Sequence, residues 1–272
     1  MTLIPTSPPR ASPSRAERLL NQFIQVDGLS IHARVAFPPV SHGTPVVLVH
    51  GLVVSSRYMM PTAELLAGDT RVYAPDLPGY GLSEKPPGMC SAPALAGALD
   101  RWMSALGLEP ALVVANSFGC QIAAHLAATY PSRVQELVLL GPMVDPRTRN
   151  LLKLVARGLA NVPLEPPSLG WIILRDLLAM GIPRALALVW AMLTDRIEET
   201  LPRVLAPTLV VRGERDPMVS GEWVEELVQR LPRGRSAVIA DAGHALNYNA
   251  PGRVACLIQS LIHVPPQAVR AS

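Results

Sequence analysis

Polar and apolar residues alternate on both sides of Asp27-Gly28 in the first patterned part of the chain. Alternation is typical of a strand with one buried face, and Asp-Gly favours a two-residue hairpin turn. We therefore expect an antiparallel hairpin over residues 21–37. The apolar run that follows at 45–49 (PVVLV) is typical of a parallel strand covered on both faces.

Strand and helix patterns then take turns along the chain, which predicts an α/β fold with a mainly parallel, doubly wound sheet. Further strands are expected at residues 71–74, 111–115, 134–140, 208–211 and 236–239. Helices are expected at residues 57–66, 92–106, 118–129, 222–229 and 252–262.

The region between 142 and 202 lacks a good strand pattern and contains three apolar stretches of helical length, LLKLVARGLA, WIILRDLLAM and ALALVWAML. We interpret residues 142–202 as a helical lid inserted into a core formed by 21–141 and 203–272. Residues 1–20, rich in Pro, Ser and Arg, are expected to form a flexible N-terminal extension. Charged residues, Gly181 and Pro183 interrupt the most apolar lid stretch, which argues against a membrane span.

Composition narrows the class of protein further. Of the 272 residues, 49% are hydrophobic and 17% charged, which suits a folded domain with a large core. The net charge of +3 is not concentrated in a basic run, so we expect no nucleic-acid partner. Three well-separated cysteines and no apolar leader favour the cytoplasm. We expect a monomer or homodimer, with no integral membrane segment.

The segment LVVANSFGCQIA holds the candidate nucleophile, Ser117. A buried strand, a five-residue turn and a helix follow one another here, as in a nucleophile elbow. This strained turn brings the strand and helix backbones together, so it needs small residues two positions before and after the serine. Ala115 and Gly119 meet that need.

A serine hydroxyl needs a base that is held by an acid. Asp216 follows the strand at 208–211, and His244 follows the last strand, so both are expected at the carboxyl edge of the sheet. Asp145 is a rival acid after the strand at 134–140, and Asp241 is a second rival beside His244. No His/Asp/Cys set has metal-ligand spacing, so we predict neither a metal nor a cofactor.

Five segments, HGLVVSSRYM, YAPDLPGYGLSEKP, VVANSFGCQIA, VVRGERDPMV and DAGHALNYNAP, resemble matching blocks of the α/β-hydrolase superfamily. The resemblance implies a serine hydrolase, and specifically a carboxylesterase, with Ser117, His244 and Asp216 as the catalytic triad. It also implies an oxyanion hole formed by the backbone N–H groups of Leu52 and Phe118.

The apolar lid predicts a pocket for a small to medium hydrophobic acyl or alkyl group. We expect substrate contacts from Val53 and Asn116, and from Trp171 and Trp190 in the lid, with Met180 and Met192 as further lid candidates. Arg175 or Arg184 would suit a substrate carboxylate, although a lid arginine is more often a surface residue.

Alternatives to a carboxylesterase remain open at this point. The Asn116-Ser117 pair is similar to carbon–carbon hydrolases that cleave vinylogous diketones, but those enzymes carry a glycine-rich oxyanion loop and a tryptophan after the catalytic histidine. Here the loop reads Leu52-Val53-Val54, and Ala245 follows His244. An acyl transferase, or a slow-turnover ligand receptor on the same fold, would carry the same residues.

Overall fold

A computed structural model describes residues 19–38, 43–88, 90–108 and 110–262. The predicted N-terminal extension, 1–20, falls outside this part of the chain except for its last two residues. The described residues contain eight strands: β1 Leu20–Val26, β2 Leu29–Ala36, β3 Val46–Val49, β4 Val72–Pro75, β5 Ala111–Asn116, β6 Val134–Leu140, β7 Thr208–Gly213 and β8 Gly234–Ile239.

All eight strands form one sheet in the order β1-β2-β4-β3-β5-β6-β7-β8. The β1–β2 and β2–β4 pairs are antiparallel, and all other pairs are parallel. The predicted hairpin is confirmed: Val26 pairs with Leu29. Asp27 and Gly28 both have positive φ, 50° and 79°, as a type I′ turn requires.

Ten α-helices accompany the sheet in the described residues: α1 Ser56–Leu66, α2 Ala92–Ala105, α3 Phe118–Thr129, α4 Leu151–Asn161, α5 Pro167–Met180, α6 Ile182–Thr194, α7 Ile197–Thr200, α8 Gly221–Arg230, α9 Leu246–Asn249 and α10 Pro251–Ile262. Every helix predicted from the sequence is present. The short helix α9, just before α10, had no separate periodic signal because it is only four residues long.

The sheet separates two apolar layers. Val47 and Val113 face the layer that contains side chains of α2, α3 and α8. Leu48 and Val114 face the other layer, which contains side chains of α1 and α10. Because neighbouring residues of the central strands are buried on opposite faces, these strands are apolar throughout. That explains the continuous run that predicted β3.

The connection between β6 and β7 contains helices and no strand, and the three predicted lid stretches form α4, α5 and α6. No single helix in the described ranges is long and apolar enough to cross a bilayer. Helices α5 and α6 satisfy length and composition only as a pair, bent by 108°.

The carboxyl ends of the parallel strands meet at one edge of the sheet, where ligands bind in open α/β folds. Ser117 follows β5, Asp216 follows β7, and His244 follows β8. The loop that begins at His50 follows β3 at the same edge. The strand order therefore brings together residues that lie up to about two hundred positions apart in the sequence.

Candidate active site

Ser117 occupies a sharp turn between β5 and α3. Its φ and ψ are 56° and −123°, a conformation that is strained for a residue with a side chain. The backbone N–H of Ser117 donates to the carbonyl of Leu140 at 2.9 Å, which ties the turn to β6. This is the strand–turn–helix context in which a serine hydroxyl is presented at the sheet edge.

The close approach of two backbones explains the small residues around the turn. A Cβ built on Gly119 would lie 2.5 Å from the carbonyl oxygen of His50 and 2.8 Å from that of Val49. A Cβ on Gly51 would lie 3.2 Å from Cβ of Ser117. The start of α3 thus packs directly against the end of β3, and position 119 has no room for a side chain.

His244 is buried in the loop after β8, and its Nδ1 donates to Oδ2 of Asp216 at 2.9 Å. This bond assigns the Nδ1–H tautomer to the neutral imidazole. The other ring nitrogen, Nε2, is buried and has no hydrogen-bond partner among the described residues. The neutral ring therefore has a free acceptor atom, as a general base requires.

Burial and nearby carboxylates act on the pKa of His244 in opposite directions. Burial lowers the pKa, whereas the charge of Asp216, its hydrogen bond and the charge of Glu165 raise it. The carboxylates together outweigh burial, so the pKa of His244 lies above its ordinary value. A protonated His244 is correspondingly stabilised.

Asp216 is the only one of the three candidate acids that contacts His244 within the described ranges. Its Oδ1 accepts hydrogen bonds from the backbone N–H groups of Met218 and Val219, at 2.7 and 3.3 Å, which fixes the carboxylate in the loop after β7. Asp145 instead bonds to Arg147 through both the backbone N–H and Nε. Asp241 pairs with Arg215 on the surface.

The hydroxyl of Ser117 contacts the sulfur of Met143 at 3.5 Å. Because Nε2 of His244 has no partner in the described structure, the hydrogen bond expected between Ser117 and His244 is not formed here. Catalytic hydrogen bonds of ligand-free sites often tighten only when substrate binds. The neighbouring Met143 had not been singled out from the sequence.

The candidate oxyanion donors lie on both sides of Ser117. Phe118 is the first residue of α3, where backbone N–H groups have no partner within the helix. Leu52 lies in the turn after β3 and lines the same cavity as Ser117. The next residue, Val53, has a φ of 47°, which is uncommon for a β-branched side chain and marks a constrained loop.

His50 holds this loop in place. Its Nδ1 lies 3.0 Å from the carbonyl oxygen of Gly51, and its Nε2 accepts from the backbone N–H of Leu77 at 3.1 Å. Burial lowers the pKa of His50. With one nitrogen donating and the other accepting, the ring is neutral and fully engaged, so it braces the loop and has no free nitrogen for proton transfer.

A cavity of about 550 Å³ opens above Ser117 and His244. Its wall is mostly apolar, with residues of the Leu52 loop on one side and of α4, α5 and α6 on the other. The apolar wall residues include Leu52, Val53, Val54, Met143, Leu154, Val162, Leu169, Ile173, Met192 and Met218. This volume lies in the usual range for small-molecule sites, which is about 300–1,000 Å³.

Val53 and Asn116, two of the predicted substrate contacts, line this cavity. The side-chain amide of Asn116 is already committed to the protein. Its Nδ2 donates to the carbonyls of Leu140 and His244, and its Oδ1 accepts from the hydroxyl of Tyr58 at 2.8 Å. Asn116 thus connects β5, β6 and the histidine loop behind Ser117.

The structure places the two predicted tryptophan contacts away from this cavity. Trp171 and Trp190 are 73% and 69% exposed, and neither lines the cavity. The residues of α5 that line the cavity are Leu169, Gly170 and Ile173. On α6, Met192 lines the cavity, and it lies two residues beyond Trp190. Two residues correspond to about 200° around a helix, so Trp190 faces away from the cavity.

Of the four other residues of the insertion that were considered as substrate contacts, one lines the cavity and three do not. Met192 lines the cavity, whereas Met180 is buried in the core and does not. Arg175 is exposed, and Arg184 reaches across to the loop that holds Pro86 and Cys90. Neither arginine lines the cavity.

Two polar residues of the cavity wall were missed by sequence reasoning. Asn161 accepts the backbone N–H of His244 at 3.2 Å, and Glu165 accepts that of Ala245 at 2.8 Å. Asn161 is the last residue of α4 and Glu165 lies four residues beyond it, about eighty residues before the histidine. No local motif links segments so far apart. The described residues contain no group of three or more His, Cys, Asp or Glu side chains that could hold a metal ion.

Comparisons with known proteins agree with this fold. A model of the alpha/beta hydrolase family matches residues 46–255. The poly(3-hydroxyalkanoate) depolymerase of Ectopseudomonas oleovorans is 26% identical over 259 residues, which cover 88% of this chain and 91% of that enzyme. A thermophilic esterase from Thermogutta terrifontis superposes with a TM-score of 0.69 at 25% identity, covering 89% and 97% of the two chains.

Other matches are shorter. The 2-hydroxy-6-oxo-2,4-heptadienoate hydrolase of Pseudomonas putida is 38% identical over 113 residues, which cover 38% of each chain. The chain spans about a third of the length of two further curated relatives, 28% and 31%. The family model covers most of the sequence, whereas these matches cover only part of it. The chain belongs to the alpha/beta hydrolase family.

Proposed function

We propose that this chain is a serine hydrolase that cleaves carboxylic esters of small to medium hydrophobic substrates through an acyl-enzyme on Ser117. The observation that carries the proposal is the arrangement of three side chains. Ser117 and His244 line one cavity, and Asp216 bonds to His244 at 2.9 Å. The chemistry that these groups support is acyl transfer to water.

In the acylation step, Oγ of Ser117 attacks the ester carbonyl carbon while Nε2 of His244 takes the hydroxyl proton. Asp216 holds the ring through Nδ1 and stabilises the imidazolium that forms. Collapse of the tetrahedral intermediate breaks the bond to the alcohol oxygen, and His244 returns its proton to that oxygen. The alcohol leaves, and the acyl group remains on Ser117.

In the deacylation step, His244 removes a proton from water as the water oxygen attacks the acyl carbon. The second tetrahedral intermediate then collapses: the bond from the acyl carbon to Oγ breaks, His244 returns its proton to Oγ, and the carboxylic acid leaves. We assign the backbone N–H groups of Leu52 and Phe118 to both oxyanions. Two such donors, fixed before the reaction begins, stabilise the developing charge without reorganisation.

The cavity supports an apolar acyl or alkyl group as the recognised part of the substrate. Its wall is largely Leu, Val, Ile and Met, and its volume of about 550 Å³ accommodates more than an acetyl group. A relative named as a depolymerase of poly(3-hydroxyalkanoate) and a structural neighbour named as an esterase are consistent with this substrate class. The helical insertion 142–202, as a lid, supplies the outer wall.

Hydrolysis of p-nitrophenyl esters from acetate to dodecanoate tests the proposal. The comparison is between wild type, Ser117→Ala and a matched control, Ser132→Ala, which changes an exposed serine. We expect turnover by wild type and the control, with a preference for medium chains, and loss of turnover in Ser117→Ala. Equal ester turnover by Ser117→Ala would contradict the assigned nucleophile.

Carbon–carbon bond hydrolysis is the second candidate, favoured by the 38% identity to a 2-hydroxy-6-oxo-2,4-heptadienoate hydrolase over 113 residues. A vinylogous 1,5-diketone acid, assayed beside the esters, distinguishes the two. Turnover of the diketone without ester turnover would replace the ester assignment. Addition of an alcohol to the ester assay reveals acyl transfer, because a transferase forms a new ester in place of the acid.

A further inference from the structure

The insertion 142–202 carries rows of exposed apolar side chains on three helices. On α5 these residues recur at spacings of three and four, and on α6 at a spacing of four, which places each row along one side of its helix. Their exposed fractions run from 46% to 79%. We call this set the insertion face: Leu151, Leu152, Val155 and Leu159 on α4, Trp171, Leu174 and Leu178 on α5, and Ile182, Leu186 and Trp190 on α6.

The same helices are also apolar on their inner sides. Leu169 and Met180 of α5, and Ala185, Leu188 and Met192 of α6, are buried against the rest of the protein. Core packing therefore accounts for the inner row, whereas the outer row is left largely exposed within the described chain. A helix that is apolar on both sides is normally enclosed on both sides.

Charge around the insertion face favours an anionic partner. Residues 151–194 contain four cations, Lys153, Arg157, Arg175 and Arg184, against two carboxylates, Glu165 and Asp176. Asp176 is buried. Both carboxylate oxygens of Glu165 accept hydrogen bonds from residues that follow His244, namely the backbone N–H of Ala245 and the side-chain amide of Asn249. The exposed charges among these residues, Lys153 and Arg175, are both positive.

The insertion face continues into the cavity. Val162, which is 64% exposed, and Ile173, which is 37% exposed, both line the cavity above Ser117. An apolar molecule that leaves a hydrocarbon phase at the insertion face would therefore meet an apolar wall on its way to the serine. Trp171 and Trp190 suit such a boundary, since an indole ring is apolar with one polar N–H.

We propose that the insertion face docks on an anionic phospholipid surface and that the substrates are esters dissolved in that surface. The second half of this proposal rests on the proposed ester hydrolase function. Apolar side chains would enter the acyl boundary, as in interfacial amphipathic helices, while Lys153 and Arg175 would lie at the headgroups. Self-association through the same face would instead place positive charge on both sides of the interface, which is unfavourable.

Sedimentation with vesicles tests docking separately from turnover. The full chain carrying Ser117→Ala is mixed with phosphatidylglycerol–phosphatidylcholine vesicles and with pure phosphatidylcholine vesicles. We expect binding to the anionic vesicles that weakens at high salt and on pure phosphatidylcholine. Adding Leu174→Gln, Leu178→Gln and Leu186→Gln should lower the partition coefficient at least ~10-fold, because each buried leucine contributes favourable transfer free energy.

A matched control changes two exposed leucines outside the insertion, Leu20→Gln and Leu205→Gln, which are 58% and 63% exposed. This control should bind vesicles like its parent. Absence of vesicle binding by the parent, or equal binding by the triple variant, overturns docking. A dimer in sedimentation velocity that the triple variant abolishes, without vesicle binding, assigns the face to a second copy and also overturns it.

Turnover by proteins that retain Ser117 tests the second part of the proposal, that the substrates are esters dissolved in the lipid surface. The triple variant should hydrolyse soluble p-nitrophenyl butyrate like wild type but lose at least ~10-fold in rate on a long-chain ester carried in anionic vesicles. Equal loss on both substrates overturns the substrate assignment. Vesicle binding by the Ser117→Ala protein, with no ester turnover by wild type, retains docking and overturns the proposed ester hydrolase function.

Discussion

Glu165 accepts the backbone N–H of Ala245 at 2.8 Å, so a residue of the helical insertion holds the loop that carries His244. The same oxygen accepts from the amide of Asn161 at 3.0 Å, and Asn161 in turn accepts the backbone N–H of His244. The other carboxylate oxygen accepts from Asn249 at 2.8 Å. Three of these hydrogen bonds join the insertion to residues 244–249, and the fourth links Asn161 to Glu165 within the insertion.

Glu165→Gln should move the acid limb of the kcat/KM–pH profile to lower pH. The negative charge of Glu165 raises the pKa of His244, and the reaction needs the neutral imidazole as base. Removal of that charge lowers the pKa, so the neutral form persists to lower pH. The profile of p-nitrophenyl ester hydrolysis between pH 4 and pH 8 measures the shift.

Glu222→Gln is the matched control, because this glutamate lies on α8 with its side chain 83% exposed. Its profile should overlay that of wild type. An acid limb that stays in place in Glu165→Gln, or moves to higher pH, would show that the charge of Glu165 does not act on His244.

Asp216→Asn should lower kcat by roughly 10⁴-fold, the loss that follows when an amide replaces the orienting carboxylate of a triad. Asp145→Asn should keep kcat within about tenfold of the wild-type value, since this carboxylate bonds to Arg147 and caps a short turn. Single-turnover measurements on both variants compare the two acids. The reverse order of effects would transfer the acid role to Asp145.

The sheet could be predicted because each central strand is short and apolar on both faces, as at Val46–Val49, and because turn chemistry at Asp27-Gly28 fixes the hairpin. The strand ends then located Ser117, Asp216 and His244 without knowledge of side-chain contacts. Parallel strands direct their carboxyl ends to one edge, so position along the chain predicts proximity in space.

The side-chain contacts of the insertion could not be predicted from the sequence with the same accuracy. Helices α5 and α6 are apolar on more than one side, so the sequence does not show which side faces the cavity. Trp171 and Trp190, the predicted substrate contacts, lie on the exposed side. Glu165 lies in a loop without periodicity, and its bond to Ala245 spans eighty residues. Such contacts depend on how the insertion packs, which no local pattern encodes.

Gly119→Ala should destabilise the protein by about 2 kcal/mol or more, because the added methyl group would overlap two backbone carbonyl oxygens that cannot move independently. Gly252→Ala is the matched control. A Cβ at this position in α10 has no neighbour within 4 Å, and alanine favours a helix over glycine. Urea unfolding of the three proteins measures the difference, and equal midpoints would contradict the close packing at the elbow.

Asp76 should make stability depend on pH in the acid range. Burial raises the pKa of its carboxyl, but hydrogen bonds from His32, Leu82 and Ser56 outweigh burial and lower the pKa to about 2. A carboxyl whose pKa is lower in the folded state stabilises it fully above its unfolded value of about 4. This contribution, about 2 kcal/mol, is lost as the pH falls from about 4 to about 2.

Asp76→Asn should therefore be less stable than wild type at pH 7, by about 2 kcal/mol, and should lose less stability between pH 4 and pH 2. Asp69→Asn, which changes an exposed aspartate, is the control and should retain the slope of wild type. Urea unfolding at a series of pH values yields both quantities. Parallel curves for wild type and Asp76→Asn would mean that this buried carboxylate is not the group that couples folding to protons, despite its three hydrogen-bond donors.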